Sequence, residues 1–512
     1  MIARMHSSIL QGIDAVPCEI EADVSAGGNG ELHLVGLADA TVRESVSRIQ
    51  AALRNSGYRW PGPKVTINLA PAEIRKESAA FDLPIALACM MAGRQFDSDA
   101  IDDYIVLGEL ALDGRVRPVK GALAAAMLTA KLGKRGLILP ADNAAEAAVV
   151  QDIEVVPVRY VAEAVGVLTG ELTFEPTSVD LEDVFATEGR YNLDFADVRG
   201  QESAKRALTV AAAGHHNLLM LGPPGSGKTM LAKRIPTILP PLTVQESLET
   251  TRVYSARGLL EPGQSLMAVR PVRTPHHSSS AAALVGGGAV PQPGEVSLAH
   301  HGVLFLDELP EFARPTLEMI RQPLEDRCVT IPRVHSTMRF PASIMLVAAM
   351  NPCPCGYATD PKRQCKCSPF AVERYMNRIS GPLIDRIDIH IEVPPVEWKH
   401  LRGSGAHGDG LSSEQMRRQV VSARARQGRR FGGNGTVSNA TMTPPQVRQF
   451  CPLDAGSETL LKQAMTELGL SARAHDKVLR VARTIADLED SDRIQTHHLA
   501  EAIQYRRLDR KM

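Results

Sequence analysis

No stretch of the 512 residues approaches the ~20 consecutive apolar side chains that a membrane span requires. The opening Met1-Ile-Ala-Arg-Met-His6 lacks the long apolar segment of a secretory signal. An excess of either charge is missing too. The 57 Lys and Arg face 58 Asp and Glu, a formal net charge of −1, so no global basic field draws the chain onto nucleic acid. Any DNA contact must come from local patches or loops. Eight cysteines in so long a chain do not make a disulfide scaffold. These absences lead to the expectation of a cytoplasmic protein with no membrane partner. With 44% hydrophobic residues the chain can bury ordinary cores, and its length suggests about three domains of ~150 residues each.

What is present centres on Asn217-Leu-Leu-Met-Leu-Gly222-Pro223-Pro224-Gly225-Ser226-Gly227-Lys228-Thr229. Leu218 to Leu221 is a short apolar run that reads as a buried strand, and Met230 to Ile235 continues as a helix. This is a P-loop in its required strand–loop–helix context. The glycines let backbone N–H groups converge on phosphate oxygens, and the helix N-terminus adds partial positive charge. Lys228 would reach the β- and γ-phosphates of a nucleoside triphosphate, expected to be ATP, and the Thr229 hydroxyl would ligate Mg²⁺.

Downstream, Gly302-Val-Leu-Phe-Leu306 ends in Asp307-Glu308. As a buried strand it would carry Asp307 to the Mg²⁺ shell and leave Glu308 placed to polarise the attacking water. Ile344 to Met350 reads as another buried strand, and its tip carries Asn351, a polar group able to hold that water.

Residues 1–170 read as an α/β domain. Val42, Val46, Ile49 and Leu53 form a helical stripe over Ala40 to Asn55, Lys64 to Leu69 alternates as a strand, and Ala79 to Met91 is an apolar helix. Ile105 to Gly108 and Arg115 to Val119 read as two strands around Asp113-Gly114, followed by a helix over Gly121 to Leu132 and the strand Gly136 to Pro140. Residues 171–195 lack clean periodicity and read as an acidic linker. Residues 196–400 would be the ATPase core, and residues 401–512 a linker (its Gly-rich part near 402–412) with a helical lid. In that last part Met416, Val420 and Ala423 would face the protein and leave arginines outward.

Two inserts interrupt the core. Thr274 to Gly294 suits a mobile loop, and Leu324 to Phe340 reads as a hairpin. Their basic residues Arg333 and Arg339 are candidate DNA phosphate contacts, with a solvated loop as the alternative. Cys353-Pro-Cys355 and Cys365-Lys-Cys367 share one polar loop. Four thiolates there could close a structural tetrahedral Zn²⁺ site, although the spacing is tighter than the usual knuckle; reduced thiols and redox pairing are the alternatives.

The segment Asp113-Gly-Arg-Val-x-Pro-Val119 with the following helix and strand resembles the proteolytic domain of Lon-type proteases, which implies a ribosomal-protein-S5-like fold. The catalytic pair is missing: Ala80 stands at the nucleophile position and Leu123 where the lysine should be, so the domain is expected to be non-catalytic, with Ser78 an ordinary helix-start residue. Ser380-Gly-Pro-Leu-Ile-Asp-Arg386 resembles an arginine-finger box, Arg473 in Ser471-Ala-Arg473 resembles sensor 2, and Asn351 resembles sensor 1 of AAA+ ATPases.

With Pro275-His-His277, Gly294-Glu-Val-Ser-Leu-Ala-His-His-Gly302 and Met350-Asn-Pro-Cys-Pro-Cys-Gly356, the whole chain resembles the YifB/ComM family of bacterial magnesium-chelatase-like AAA+ proteins. The resemblance implies a ring, expected to be hexameric, with Arg386 completing a neighbour's site. It also implies a DNA motor of the helicase or branch-migration type that acts on single-stranded or branched DNA, with recombination proteins as further partners and the inserts at a central pore. Magnesium chelation itself is not expected, because no integrin-like domain follows the ATPase. A protein-remodelling ring is the alternative. The inserts carry His and Arg with few aromatics, which favours DNA.

Overall fold

Lys64–Ala70 turns Val65, Ile67 and Leu69 inward and polar side chains outward, and that alternation places it inside a four-stranded sheet. It pairs antiparallel with Asp14–Ser25 and parallel with Glu31–Val35, and Ile2–Gln11 closes the far edge. The computed structural model describes residues 2–25, 31–76, 78–189, 191–288, 290–332, 337–360, 363–396, 411–433 and 437–506. The chain divides into two compact units, Met1–Gly189 with Thr243–Ala268, and Arg190–Leu242 with Val269–Met512.

In the first unit the helix Ala40–Asn55 starts where the Asp39 carboxylate accepts the Val42 N–H at 3.0 Å. It buries the expected stripe Val42, Val46, Ile49 and Leu53. A second, parallel sheet holds Tyr104–Val106, Gly136–Pro140 and Glu154–Val158. The pair of strands expected between residues 105 and 119 is therefore split. Tyr104–Val106 is apolar and wholly buried, so it joins Gly136–Pro140, and the hairpin shrinks to Glu109–Leu110 against Val116–Arg117. The buried Asp82 carboxylate fixes the change of direction by accepting the Leu110 N–H at 3.1 Å while bound to Arg48.

The stretch read as an acidic linker contains the helix Leu181–Glu188. Asp180 caps it by accepting the Glu182 N–H at 2.9 Å, and Glu182 and Asp183 occupy the first turn, where the helix dipole favours them. The helix Val244–Arg257 also belongs to this unit, and its Ser255 hydroxyl bonds the buried Glu146 carboxylate at 2.9 Å.

The second unit is built on a five-stranded, all-parallel sheet. Its order is Val272–Arg273, Val303–Leu306, Met345–Met350, Leu218–Leu221, Ile389–Glu392. The three central strands are buried throughout, as parallel strands covered on both faces must be. One apolar core runs from this sheet into the C-terminal helices Ser413–Arg430, Pro444–Phe450, Ala455–Leu468, Ala472–Leu488 and Thr496–Gln504. Met416, Val420 and Ala423 face inward as expected. Two arginines of that helix are committed within the fold: Arg430 Nη1 donates to Asp487 at 2.8 Å, and Arg426 pairs with Asp490 and Asp492, whereas Arg418 and Arg429 stay exposed. Among the described residues no helix is long and apolar enough to cross a membrane.

Candidate functional site

In a parallel sheet the carboxyl ends of the strands gather loops on one side, which is where open α/β sheets bind ligands. Here those ends belong to Leu218–Leu221, Val303–Leu306 and Met345–Met350, so Gly222, Asp307 and Asn351 emerge together. The Gly222 N–H donates to the Met350 carbonyl at 3.2 Å, which ties the P-loop to the neighbouring strand. Gly227 has φ +91°, a left-handed conformation that hands the chain into the helix Lys228–Arg234.

Lys228 is buried beneath the loop. Its Nζ donates to the carbonyls of Gly222 (2.7 Å) and Pro223 (3.0 Å) and to Asn351 Oδ1 (3.3 Å). Burial pushes its pKa down, and the Asp307 and Glu308 carboxylates oppose that shift. Thr229 Oγ1 donates to Asp307 Oδ2 at 2.6 Å, and the other Asp307 oxygen accepts the Glu308 N–H at 2.9 Å. Glu308 has φ +51°, which bends the chain sharply at the strand end and leaves its side chain exposed. His277 Nδ1 lies 3.6 Å from Glu308 Oε2. The sequence marks that histidine as part of the Pro275-His-His motif and, with the other insert histidines, as a candidate phosphate contact; its adjacency to Glu308 is visible only in the tertiary fold.

The loop fits a phosphate chain. The Ser226 hydroxyl is buried and has no hydrogen-bond partner among the described residues, and the loop's N–H groups sit at a helix N-terminus. Gln201, with φ +62°, anchors the loop from outside by donating to the Ser226 carbonyl at 3.3 Å and the Pro394 carbonyl at 2.6 Å.

Arg386 is not in this cluster. It pairs with Glu325 at 2.6 Å, donates to the Pro382 carbonyl at 2.7 Å, and its own carbonyl accepts Asn217 Nδ2 at 3.0 Å, at the amino end of the P-loop strand. Arg473, in the first turn of Ala472–Leu488, lines the same cleft of about 720 Å³ as Arg386, Asn217 and Lys477. No P-loop residue lines it. Arg378, eight residues before Arg386 and the other arginine near that box, bonds Glu311 at 2.9 Å.

Of the insert residues, Arg339 lies on a two-stranded antiparallel hairpin, Cys328–Pro332 with Thr337–Pro341, opposite Thr330. The hairpin begins four residues later than expected, because Leu324 to Asp326 complete the helix Arg314–Asp326. Arg333 lies outside the described residues, as do residues 397–410 of the Gly-rich linker. The other insert is more ordered than a mobile loop. Ser280 caps the helix Ala281–Val285, whose Leu284 and Val285 are buried, and Gly286–Gly287 pairs with Gln292–Pro293.

All eight cysteines are free of disulfides. Cys353, Cys355, Cys365 and Cys367 converge, with all four sulfurs within 4.8 Å of one another. Cys353 Sγ lies 3.3 Å from Cys355 Sγ and 3.6 Å from Cys365 Sγ, and the latter two are 3.6 Å apart. Tetrahedral zinc with Zn–S of about 2.3 Å has sulfur–sulfur edges of about 3.8 Å, so the donor set fits a soft divalent ion.

With this geometry in place, comparisons with known proteins are decisive. Residues 194–401 match the family described as magnesium chelatase, subunit ChlI; residues 20–143 match subunit ChlI of Mg-chelatase, and residues 410–506 its C-terminal part. The chain is 42% identical over 510 residues to YifB of Escherichia coli K12, covering 99% of this chain and 98% of that one. It is likewise 42% identical over 512 residues to competence protein ComM of Haemophilus influenzae, with the same coverage. The chain belongs to the YifB/ComM family. It is a magnesium-chelatase-like AAA+ ATPase of that family. A shorter likeness, 32% identity over 149 residues to Lon protease 2 of Bacillus subtilis, covers 26% of each chain and agrees with a Lon-like N-terminal domain. In this domain the Ser78 hydroxyl accepts the Ala80 N–H at 3.1 Å, the bond of a helix cap, while Ala80 and Leu123 are buried.

Proposed function

We propose that the chain hydrolyses ATP at sites completed by a neighbouring copy in a ring, expected to be hexameric, and uses the turnover to translocate on or migrate branched DNA. Gly222 to Thr229 would cradle the phosphates, with Lys228 rotating from its loop carbonyls onto the β- and γ-oxygens. The Thr229 hydroxyl and Asp307 would hold Mg²⁺, which neutralises phosphate charge. Glu308 would take the proton of the attacking water, and Asn351 would orient that water.

One observation carries the ring. Arg386 and Arg473 open onto a cleft at the amino end of the P-loop strand, away from the chain's own P-loop, which supports a phosphate partner supplied by another copy. DNA is supported by a hairpin segment that carries Arg333 and Arg339 and no acidic residue, and by likeness to a protein named for competence. Recombination proteins would then be natural partners.

The test is a labelled branched DNA. ATP-dependent strand exchange by wild-type protein, abolished by Glu308→Gln, is expected. Exchange of DNA strands that needs no ATP, or none at all under conditions of active hydrolysis, would overturn the motor reading and favour a ring that remodels proteins.

A further inference from the structure

We propose that the four-cysteine loop is a zinc centre whose occupancy sets the shape of the nucleotide pocket, so that metal and nucleotide bind cooperatively. The inference rests on the P-loop being the nucleotide site.

The loop and the pocket share atoms of one short stretch. Asn351, which accepts from Lys228 Nζ at 3.3 Å, stands two residues before Cys353, the buried member of the sulfur cluster. One turn further, Gly356 donates its N–H to the Cys353 carbonyl at 2.9 Å and has φ +85°. Its missing side chain makes room for the P-loop: a Cβ there would lie 2.6 Å from Pro224 Cδ and 3.9 Å from Asn351 Cγ. The polypeptide from Asn351 to Gly356 therefore forms one wall of the phosphate loop.

Among the described residues, little besides the cysteines holds the loop that continues from that wall. Tyr357, Asp360 and the residues around Cys365 and Cys367 are largely polar and incompletely buried, so they form no apolar core of their own. Four thiolates on one ion would replace that missing core, releasing thiol protons as the metal enters. With the ion bound, Cys353 is fixed, and so are Asn351 and the glycine under Pro224. Without it, the wall is free to relax and Lys228 loses a defined partner.

Coupling of this kind is reciprocal: if zinc tightens nucleotide binding, nucleotide must tighten zinc by the same factor. The experiment uses full-length protein purified with reductant and without chelator. Metal analysis is expected to find about one zinc per chain, and cobalt substitution should give the thiolate charge-transfer and visible bands of a tetrahedral site. Cys365→Ser with Cys367→Ser should lose the metal and raise the Kd of a fluorescent ATP analogue by about fivefold or more. Gly356→Ala keeps all four thiols; it should keep the zinc and still weaken the analogue, which separates pocket shape from loss of fold.

In wild-type protein, a zinc-chelating indicator should extract the metal less readily with the analogue bound. Absence of zinc from reduced protein, or equal zinc affinity with and without bound analogue, would overturn the proposal. Failure of zinc-loaded wild-type protein to bind any nucleotide would instead sink the ATPase assignment.

Discussion

Lys228 and Arg386 lie at opposite ends of one strand. Lys228 follows the carboxyl end of Leu218–Leu221, whereas the Arg386 carbonyl is held by Asn217 at its amino end. Four residues at ~3.3 Å each put about 13 Å of strand between the two ends. Arg386 also points to Glu325 on another helix rather than toward the P-loop. In the proposed ring, an arginine so placed would serve a neighbouring chain's site rather than its own.

Complementation follows from that geometry. Lys228→Ala and Arg386→Ala are each expected to lower ATP turnover by about 10³-fold. Mixed, they should recover a measurable fraction, because some interfaces then pair an intact P-loop with an intact arginine. Arg473→Ala should behave as Arg386→Ala does in the same assay. Mixed rings verified by differential tagging, yet without recovery, would count against a shared site.

Glu308→Gln keeps the shape of the strand end and removes the proposed base. Turnover should fall by at least about 10²-fold while ATP affinity changes little. Stopped-flow binding and steady-state hydrolysis on one preparation check both halves, and near-normal hydrolysis would move the base elsewhere, with His277 beside Glu308 the next residue to test.

Much of this site is legible in the sequence. The P-loop and Asp307-Glu308 announce themselves because each is a short apolar run ending in residues with no other reason to be adjacent, and both runs proved to be buried parallel strands. The stripe of Ala40–Asn55 was equally plain, since one helix face is fixed by spacing alone. The split between Tyr104–Val106 and the hairpin after it was not, because local alternation cannot say which sheet a strand joins. Nor could the sequence show that Arg386 and Arg473 share a cleft, 87 positions apart, or that Arg426 and Arg430 of Ser413–Arg430 are spent on Asp487, Asp490 and Asp492.

The join between sheet and C-terminal helices carries a pH signature. Asp388 begins the last strand region, bonds the Asn217 N–H at 3.0 Å and meets Lys477 at 3.1 Å, with the His216 ring 3.7 Å away. Burial alone would raise its pKa, but Lys477, His216 and that N–H together hold it well below the ordinary carboxylate range. The unfolded chain thus binds this proton first as pH falls, so the stability Asp388 contributes is complete above its unfolded value near 4 and is lost below it. Thermal scans from pH 7 to pH 3 should show wild-type protein losing its advantage over Asp388→Asn toward the acid end. At neutral pH Lys477→Ala should cost about 3–5 kcal/mol by leaving the carboxylate buried and unpaired. A pH-independent difference between wild type and Asp388→Asn would refute the linkage.

Arg339 offers the most accessible DNA test. If its guanidinium neutralises a backbone phosphate, Arg339→Ala should weaken DNA of any sequence alike, reduce the salt slope of log K by about 0.9 and spare basal hydrolysis. Fluorescence anisotropy across a salt series measures this. An unchanged slope would leave the hairpin a solvated feature.

DNA binding and ATP turnover are expected to be coupled. ATP turnover of purified wild-type protein should be measured at low salt, alone and with single-stranded, forked and duplex DNA. Turnover is predicted to rise with single-stranded or forked DNA, the rise vanishing as salt is added and absent in Glu308→Gln. Active hydrolysis that ignores all three DNAs, by protein that also fails to bind them at low salt, would contradict it.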